Sequence, residues 1–283
     1  MSALATRLPD AVVPVSTLPV RKYEAWRYSD LTALGGVWSE APAGDRVISV
    51  PAGETLVVDE RLEASGWHNE AVAVTVGDGA HLILSVVQAR ALDAVTTQVF
   101  TVTIGDGAHC RFNILQHGSR FGRIALEVTL GANAVFELGG VILGRGEQTS
   151  EIVTTVTHAA PGAVSRQVVR TVVDERATGS YLGKVAVARA GQQTDAAQSL
   201  KALLLARTAT ANAKPELEIF ADDVKCAHGA TVGELDAQAL FYLASRGVGP
   251  AEAKTLLIEA FIGDAELGEA LTAEAVAWLR GEV

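Results

Sequence analysis

From about Val47 onward, hydrophobic and polar residues alternate with a period of two. In Ala71-Val72-Ala73-Val74-Thr75-Val76 and in Val99-Phe100-Thr101-Val102-Thr103-Ile104, β-branched residues recur at every second place. Side chains of an extended backbone point to opposite faces in turn, so this pattern predicts strands that bury one face. The phrase then repeats. Val74-Thr75-Val76-Gly77-Asp78-Gly79-Ala80-His81-Leu82 returns as Val102-Thr103-Ile104-Gly105-Asp106-Gly107-Ala108-His109-Cys110, then as Val128-Thr129-Leu130-Gly131-Ala132-Asn133-Ala134-Val135-Phe136, and more faintly from Val156 to Val164. The leading valines are spaced by 28, 26 and 28 residues.

A near-constant period of strands and tight turns, in units too small to bury an apolar face alone, predicts stacked rungs: a mostly β chain forming a β-helix, or solenoid. Gly77, Gly79, Gly105 and Gly107 suit tight corners, and Asp78 and Asp106 read as turn formers. A phosphate-binding loop is disfavoured because no helix or Lys-Ser/Thr pair follows. His81 and His109 take equivalent repeat positions, so they are expected on adjacent rungs, where a metal ladder and simple repeat inheritance are both open readings. The strand pattern continues through Tyr181–Arg189 and Ser199–Ala206 and closes at Pro215–Phe220.

After Gly233 the period becomes helical. Asp236 is placed to cap a helix carrying Leu240, Phe241 and Leu243 that stops at Gly247, and Gly249-Pro250 opens a second. The second helix is expected to present Ala253, Leu256, Leu257, Ala260 and Phe261 as one stripe, and a third to present Leu271, Ala275, Trp278 and Leu279. These helices either cap the open end of the solenoid or dock a partner. The chain thus divides into an N-terminal helical or irregular segment (1–45), a β-helix core (46–222) and a C-terminal helical domain (223–283).

With 283 residues, 49% of them hydrophobic, the chain can build a large core. A net charge of -10 disfavours nucleic acid and anionic membrane as main partners. Arg7, Asp10, Pro9, Pro14 and Pro19 leave no apolar leader in the first twenty residues, and no run approaches a membrane span. With two cysteines, Cys110 and Cys226, the expectation is a reducing cytoplasm.

Two motifs stand apart from the repeats. Near the N-terminus, Glu24-Ala25-Trp26-Arg27-Tyr28-Ser29-Asp30 packs aromatics among charges and reads chiefly as an aromatic clamp onto a larger body. At the join of strands and helices lies Lys225-Cys226-Ala227-His228-Gly229-Ala230-Thr231-Val232-Gly233. If that stretch is extended, Cys226 and His228 share a face about 6.5–7 Å apart. A small apolar Cys and a satisfied polar His are the simpler reading, and because two ligands cannot close a four-coordinate metal site, any metal chemistry here needs further ligands from elsewhere in the fold or from another chain.

The segment Asp222 to Gly233, with Leu240-Phe241-Tyr242-Leu243 and Ser245-Arg246-Gly247 behind it and the Trp26 motif ahead, resembles the SufB/SufD family of iron-sulfur cluster assembly proteins. Gly229 after the histidine, and the lack of an N-terminal cysteine cluster, place the likeness on the SufD side. The resemblance implies a right-handed parallel β-helix between helical ends, a non-catalytic scaffold role, and pairing edge to edge with SufB. It implies a transient Fe-S cluster at that interface, drawing on His228 and on Cys226, with none tightly bound to the isolated chain. It also implies docking of the ATPase SufC on the C-terminal helices, through Leu240, Phe241, Leu256, Leu257 and Phe261. ATP-driven dimerisation of SufC would then pull on the SufB/SufD join. A homodimer is the expected alternative state of the isolated chain. The rival reading is a carbohydrate-active β-helix enzyme, which needs carboxylates grouped along one groove. A solenoid polymerising end to end is disfavoured by the helical ends, and a hexapeptide-repeat acyltransferase by the lack of a six-residue period.

Overall fold

The computed structural model describes residues 18–38, 45–63 and 65–282. The expectation of a chain without a leader, resting on Arg7, Pro9, Asp10 and Pro14, lies outside them. A 3-10 turn at Glu24–Trp26 and a short helix α1 (Leu31–Gly35) precede fourteen strands. These are β1 (Asp45–Val50), β2 (Thr55–Leu62), β3 (Trp67–Val76), β4 (His81–Arg90), β5 (Val95–Ile104), β6 (His109–Gly118) and β7 (Phe121–Leu130). Then come β8 (Val135–Gly144), β9 (Thr149–His158), β10 (Val164–Val173), β11 (Thr178–Val187), β12 (Thr194–Leu204), β13 (Thr210–Ile219) and β14 (Val224–Gly233). Helices α2 (Ala237–Ser245), α3 (Pro250–Gly263) and α4 (Glu269–Arg280) close the described chain.

Odd strands form one seven-stranded sheet and even strands another, so each turn of the chain lays one strand on each. All pairings between rungs are parallel, which makes the body a β-solenoid. The repeat read from the sequence is the rung register. Val74 pairs with Val102, Val102 with Val128, and Val128 with Val156. Inward residues of successive rungs stack into one core, in which Phe100 meets Phe112 edge to face at 5.1 Å and Leu84, Ile114, Leu126 and Phe136 are fully buried. The corners behave as their composition requires. Gly79 and Gly107 both have φ of +63°, and Asp78 and Asp106 bind the next corner, accepting from Asp106 N (2.9 Å) and Ala132 N (2.7 Å).

Both outer faces are covered, which is why burial along the middle strands is nearly continuous rather than alternating. The Trp26 segment lies on the odd sheet, where Trp26, Leu34, Val95 and Phe121 make one cluster and Ala25, Tyr28, Ala125, Val153 and Leu182 another. Helices α3 and α4 lie on the even sheet, where Ile258, Ile262, Ala275 and Trp278 meet Leu115, Val141, Leu143 and Val172.

Three expectations need correction. The helices do not cap the open end, because the apolar outer face of the even sheet captures them instead. The buried residues of α3 are Ala253, Ile258 and Ile262, whereas Leu256 faces solvent. The boundary placed at 222/223 falls one strand early, since β14 still pairs with β12 along its length.

Candidate functional site

β14 is the last strand of the even sheet and β13 the last of the odd sheet, and among the described residues each has a partner on one side only. Parallel register sets Cys226 beside Ala196 and His228 beside Gln198, so both side chains emerge on the bore-facing side of β14. The Lys225–Gly233 stretch is therefore extended, as the spacing argument required. Cys226 is half-buried against Val185, Val187, Ala196 and Ala221, while His228 is exposed. Burial, with the Asp195 carboxylate adding to it, pushes the Cys226 thiol up, so without a cation it stays protonated at neutral pH. Nothing fills the space around Gly229, and Ile219, Phe220 and Val232 lie exposed on these last strands.

Behind His228 the bore turns polar. The Thr154 and Tyr181 hydroxyls each lie 2.9 Å from Gln167 Oε1, and they lie 2.7 Å from one another. Gln198 follows Gln167 on the next rung, and His228 follows Gln198. Sequence reasoning passed over this column, although its signal was present: a glutamine occupies the inward phase of two successive strands where neighbours such as Val169 and Leu200 are apolar.

The other sequence-picked residues scatter. His81 and His109 do sit on adjacent rungs, with ring centroids 5.8 Å apart, but His109 Nε2 lies 2.7 Å from Glu137 Oε2. Among the described residues no group of three or more His, Cys, Asp or Glu is placed to hold a metal ion. Cys110 is buried, and desolvation pushes its thiol up to about 12. Of the presumed docking residues, Phe241 is 77% and Leu256 42% exposed, Leu240 and Leu257 are half-buried, and Phe261 packs into the helix-sheet cluster 5.8 Å from the Arg170 guanidinium carbon. No described helix is long and apolar enough to cross a membrane.

The N-terminal motif proves to be a clamp over a buried ion pair. Arg123 and Glu151, neighbours in register on β7 and β9, are each 1% exposed and joined at 2.8 Å. The Ser29 hydroxyl donates to the same carboxylate oxygen at 2.7 Å, and Trp26 lies 4.0 Å from the guanidinium carbon.

The body is a two-sheet parallel β-solenoid whose terminal strand β14 carries a thiol and an imidazole. The chain matches, over residues 40–261, the family described as SUF system FeS cluster assembly, SufBD core domain, and it belongs to that family. It is 39% identical over 148 residues to an iron-sulfur cluster assembly SufBD family protein of Synechocystis, and 36% over 144 residues to the iron-sulfur cluster assembly protein SufD of Escherichia coli. It is 31% identical over 221 residues to the chloroplastic protein ABCI7 of Arabidopsis thaliana. The matched segments cover 52%, 51% and 76% of this chain and 33%, 34% and 46% of those relatives.

Proposed function

We propose that this chain is the SufD-like subunit of a SUF scaffold, a non-catalytic cytoplasmic protein that pairs with SufB through the free edges of β13 and β14 and helps to build a nascent Fe-S cluster at the seam. The observation that carries this reading is the placement of Cys226 and His228 on a terminal strand whose outer edge has no partner among the described residues. An open strand edge is a template for strand addition, so a second solenoid can continue the sheets and bring the missing ligands. His228 is the ligand this chain contributes. Cys226, whose thiol is held protonated by its surroundings, supplies sulfur ligation once iron arrives to displace the proton.

SufC docks on the exposed side of the C-terminal helices, where Phe241 and Leu256 project and Leu240 and Leu257 flank them, with Phe261 as their anchor to the body. Because α3 and α4 are fastened to the even sheet, a pull on them reaches the strands that end at the seam. This suits a mechanism in which nucleotide-driven movement of the ATPase opens the site and releases the cluster. The carbohydrate-enzyme reading loses ground because Asp78 and Asp106 serve as corner staples rather than as a facing pair.

The test is reconstitution with SufB and SufC. His228→Ala is expected to lower cluster formation from iron and sulfide while leaving complex formation and the fold unchanged. Full cluster yield in that variant would remove His228 from the site.

A further inference from the structure

We infer that Pro215 divides one of the two open edges at the seam. A partner strand then bonds to β14 along its length but to β13 only over Leu217–Ile219, the half beside Cys226. This rests on the edge pairing proposed above and names the part of each edge that the pairing uses. In a strand the N–H and C=O of one residue point to the same side, and successive residues alternate. Two bonds fix the phase of β13: Thr210 N donates to Ala177 O and Phe220 N to Val187 O, both at 2.9 Å. Register with β11 is unbroken between them, so even-numbered residues turn toward β11. Ala211, Ala213, Pro215, Leu217 and Ile219 therefore turn toward the open edge, and the middle one has no N–H to offer. Proline is tolerated in a sheet where its nitrogen faces such an edge, and it is one of the means by which an edge is blunted.

The other edge has no such gap. Asp195 N donates to Ala163 O at 3.1 Å, so odd residues of β12 turn toward β10 and even ones toward β14. With Ala196 opposite Cys226, the open edge of β14 carries the N–H groups of Cys226, His228, Ala230 and Val232 in an unbroken row. A strand laid across all of β13 would instead press one carbonyl against the Pro215 ring, where no donor answers it, and an unanswered carbonyl in a closed joint is costly. Pairing on β13 therefore keeps to one side of Pro215. The side chains choose which. Ile219 and Phe220 are 40% and 59% exposed, and Leu217 packs with Val224 and Cys226 around Ala221. Before Pro215 the outward side chains are already engaged, Asn212 with Ser180 and Lys214 with Glu24 and Glu216. The occupant that fits is a second chain with a short apolar strand that ends or bulges opposite Pro215, beside a longer strand that follows β14.

The experiment is amide hydrogen exchange, resolved to single residues, on the full chain alone and in the SufB-paired complex. On pairing, exchange at Leu217, Ile219, Cys226, His228, Ala230 and Val232 should slow by about tenfold or more, while Ala211 and Ala213 exchange as they do in the isolated chain. Equal slowing at Ala211, Ala213 and Leu217 would overturn the inference and leave the edge pairing standing. No slowing anywhere on β13 or β14 would overturn the edge pairing itself. The companion variant is Pro215→Val, which restores the missing donor with a residue suited to strands, its fold checked by a thermal melt. With both edges then continuous, the isolated variant should self-associate in sedimentation velocity at a concentration roughly tenfold below that of wild type. Association unchanged from wild type would show that Pro215 does not limit strand addition.

Discussion

Replacing Glu151 by alanine should be among the most damaging single changes in the solenoid, through charge rather than volume. Arg123 is fully enclosed, with Trp26 over its guanidinium and Glu151 as the partner at 2.8 Å. Removing the carboxylate strands a cation beneath the N-terminal segment, and breaking such a pair typically costs about 3–5 kcal/mol. The variant also leaves the Ser29 hydroxyl without its acceptor. In a chain of this size each kcal/mol moves the melting point by roughly 2–4 °C, so a fall on the order of 10 °C is expected. The companion variant, Arg123→Met with Glu151→Leu, removes both charges and fills the space with apolar atoms. It should recover to within about 1 kcal/mol of wild type or exceed it, because the desolvation of two ions is then avoided. Calorimetry of the two variants decides the matter. A single variant as stable as wild type, or a double variant as damaged as the single, would refute the account of the clamp as a cover over a costly ion pair.

Other outcomes follow from the same coordinates. His158 is fully buried with Ser165 Oγ at 2.9 Å from its Nε2, and burial lowers its pKa from 6.5 to about 4. The unfolded chain takes up the proton first as pH falls below 6.5, so stability is complete above that value and declines toward pH 4. About 2 kcal/mol should be lost by pH 5 from this group alone, and a His158→Asn variant with an undiminished slope in urea titrations would contradict it. Gly183→Ala should cost about 1–3 kcal/mol, because a new methyl meets the Tyr181 ring and Gln198; a melt unchanged from wild type would refute the crowding. Phe241→Ala with Leu256→Ala should abolish SufC capture in a pull-down while leaving the melting point near that of wild type, since both side chains are exposed. Deletion of α3 and α4 is a poorer test, because it would uncover Leu115, Val141 and Val172.

The solenoid was legible because its repeat is simple physics. A residue that must stack on its counterpart keeps its type, so Val74, Val102, Val128 and Val156 carry the register openly. The helices were legible through Asp236, whose carboxylate accepts from Gln238 N at 2.8 Å, and through Pro250 at the first turn of α3. Where they dock was not. A helix stripe says that a face is buried but not against what, and α3 has no sharply one-sided pattern, so Leu256 and Ile258 could not be ranked. Arg123 and Glu151 were hidden for a related reason: a charged residue in a strand reads as solvent-facing until the segment covering it, a hundred residues away in sequence, is placed. Cys226 and His228 stood out by their spacing, but their place on a terminal strand is a property of the whole sheet order and not of any local window.

On the proposed reading, that terminal position also explains why the seam needs a partner. Seated between Ala196 and the last turn of the bore, Cys226 is sheltered enough to hold its proton and too open to be inert, whereas Cys110, in the interior, is sealed off by its neighbours. One imidazole and one protonated thiol bind iron weakly, so under the proposal affinity rises steeply when a partner surface closes over β14 and supplies both ligands and a drier environment. A site whose affinity depends on closure releases its load when the closure is undone, without any change in the ligands themselves. If so, iron binding should depend on the partner far more than on Cys226. Titration of ferrous iron into the isolated chain should give at most millimolar affinity, and Cys226→Ser should change it little, while in the SufB-paired complex affinity should be at least a hundredfold tighter, about 3 kcal/mol. Micromolar binding by the isolated chain would mean that the seam is already a finished site and that closure is not what controls it.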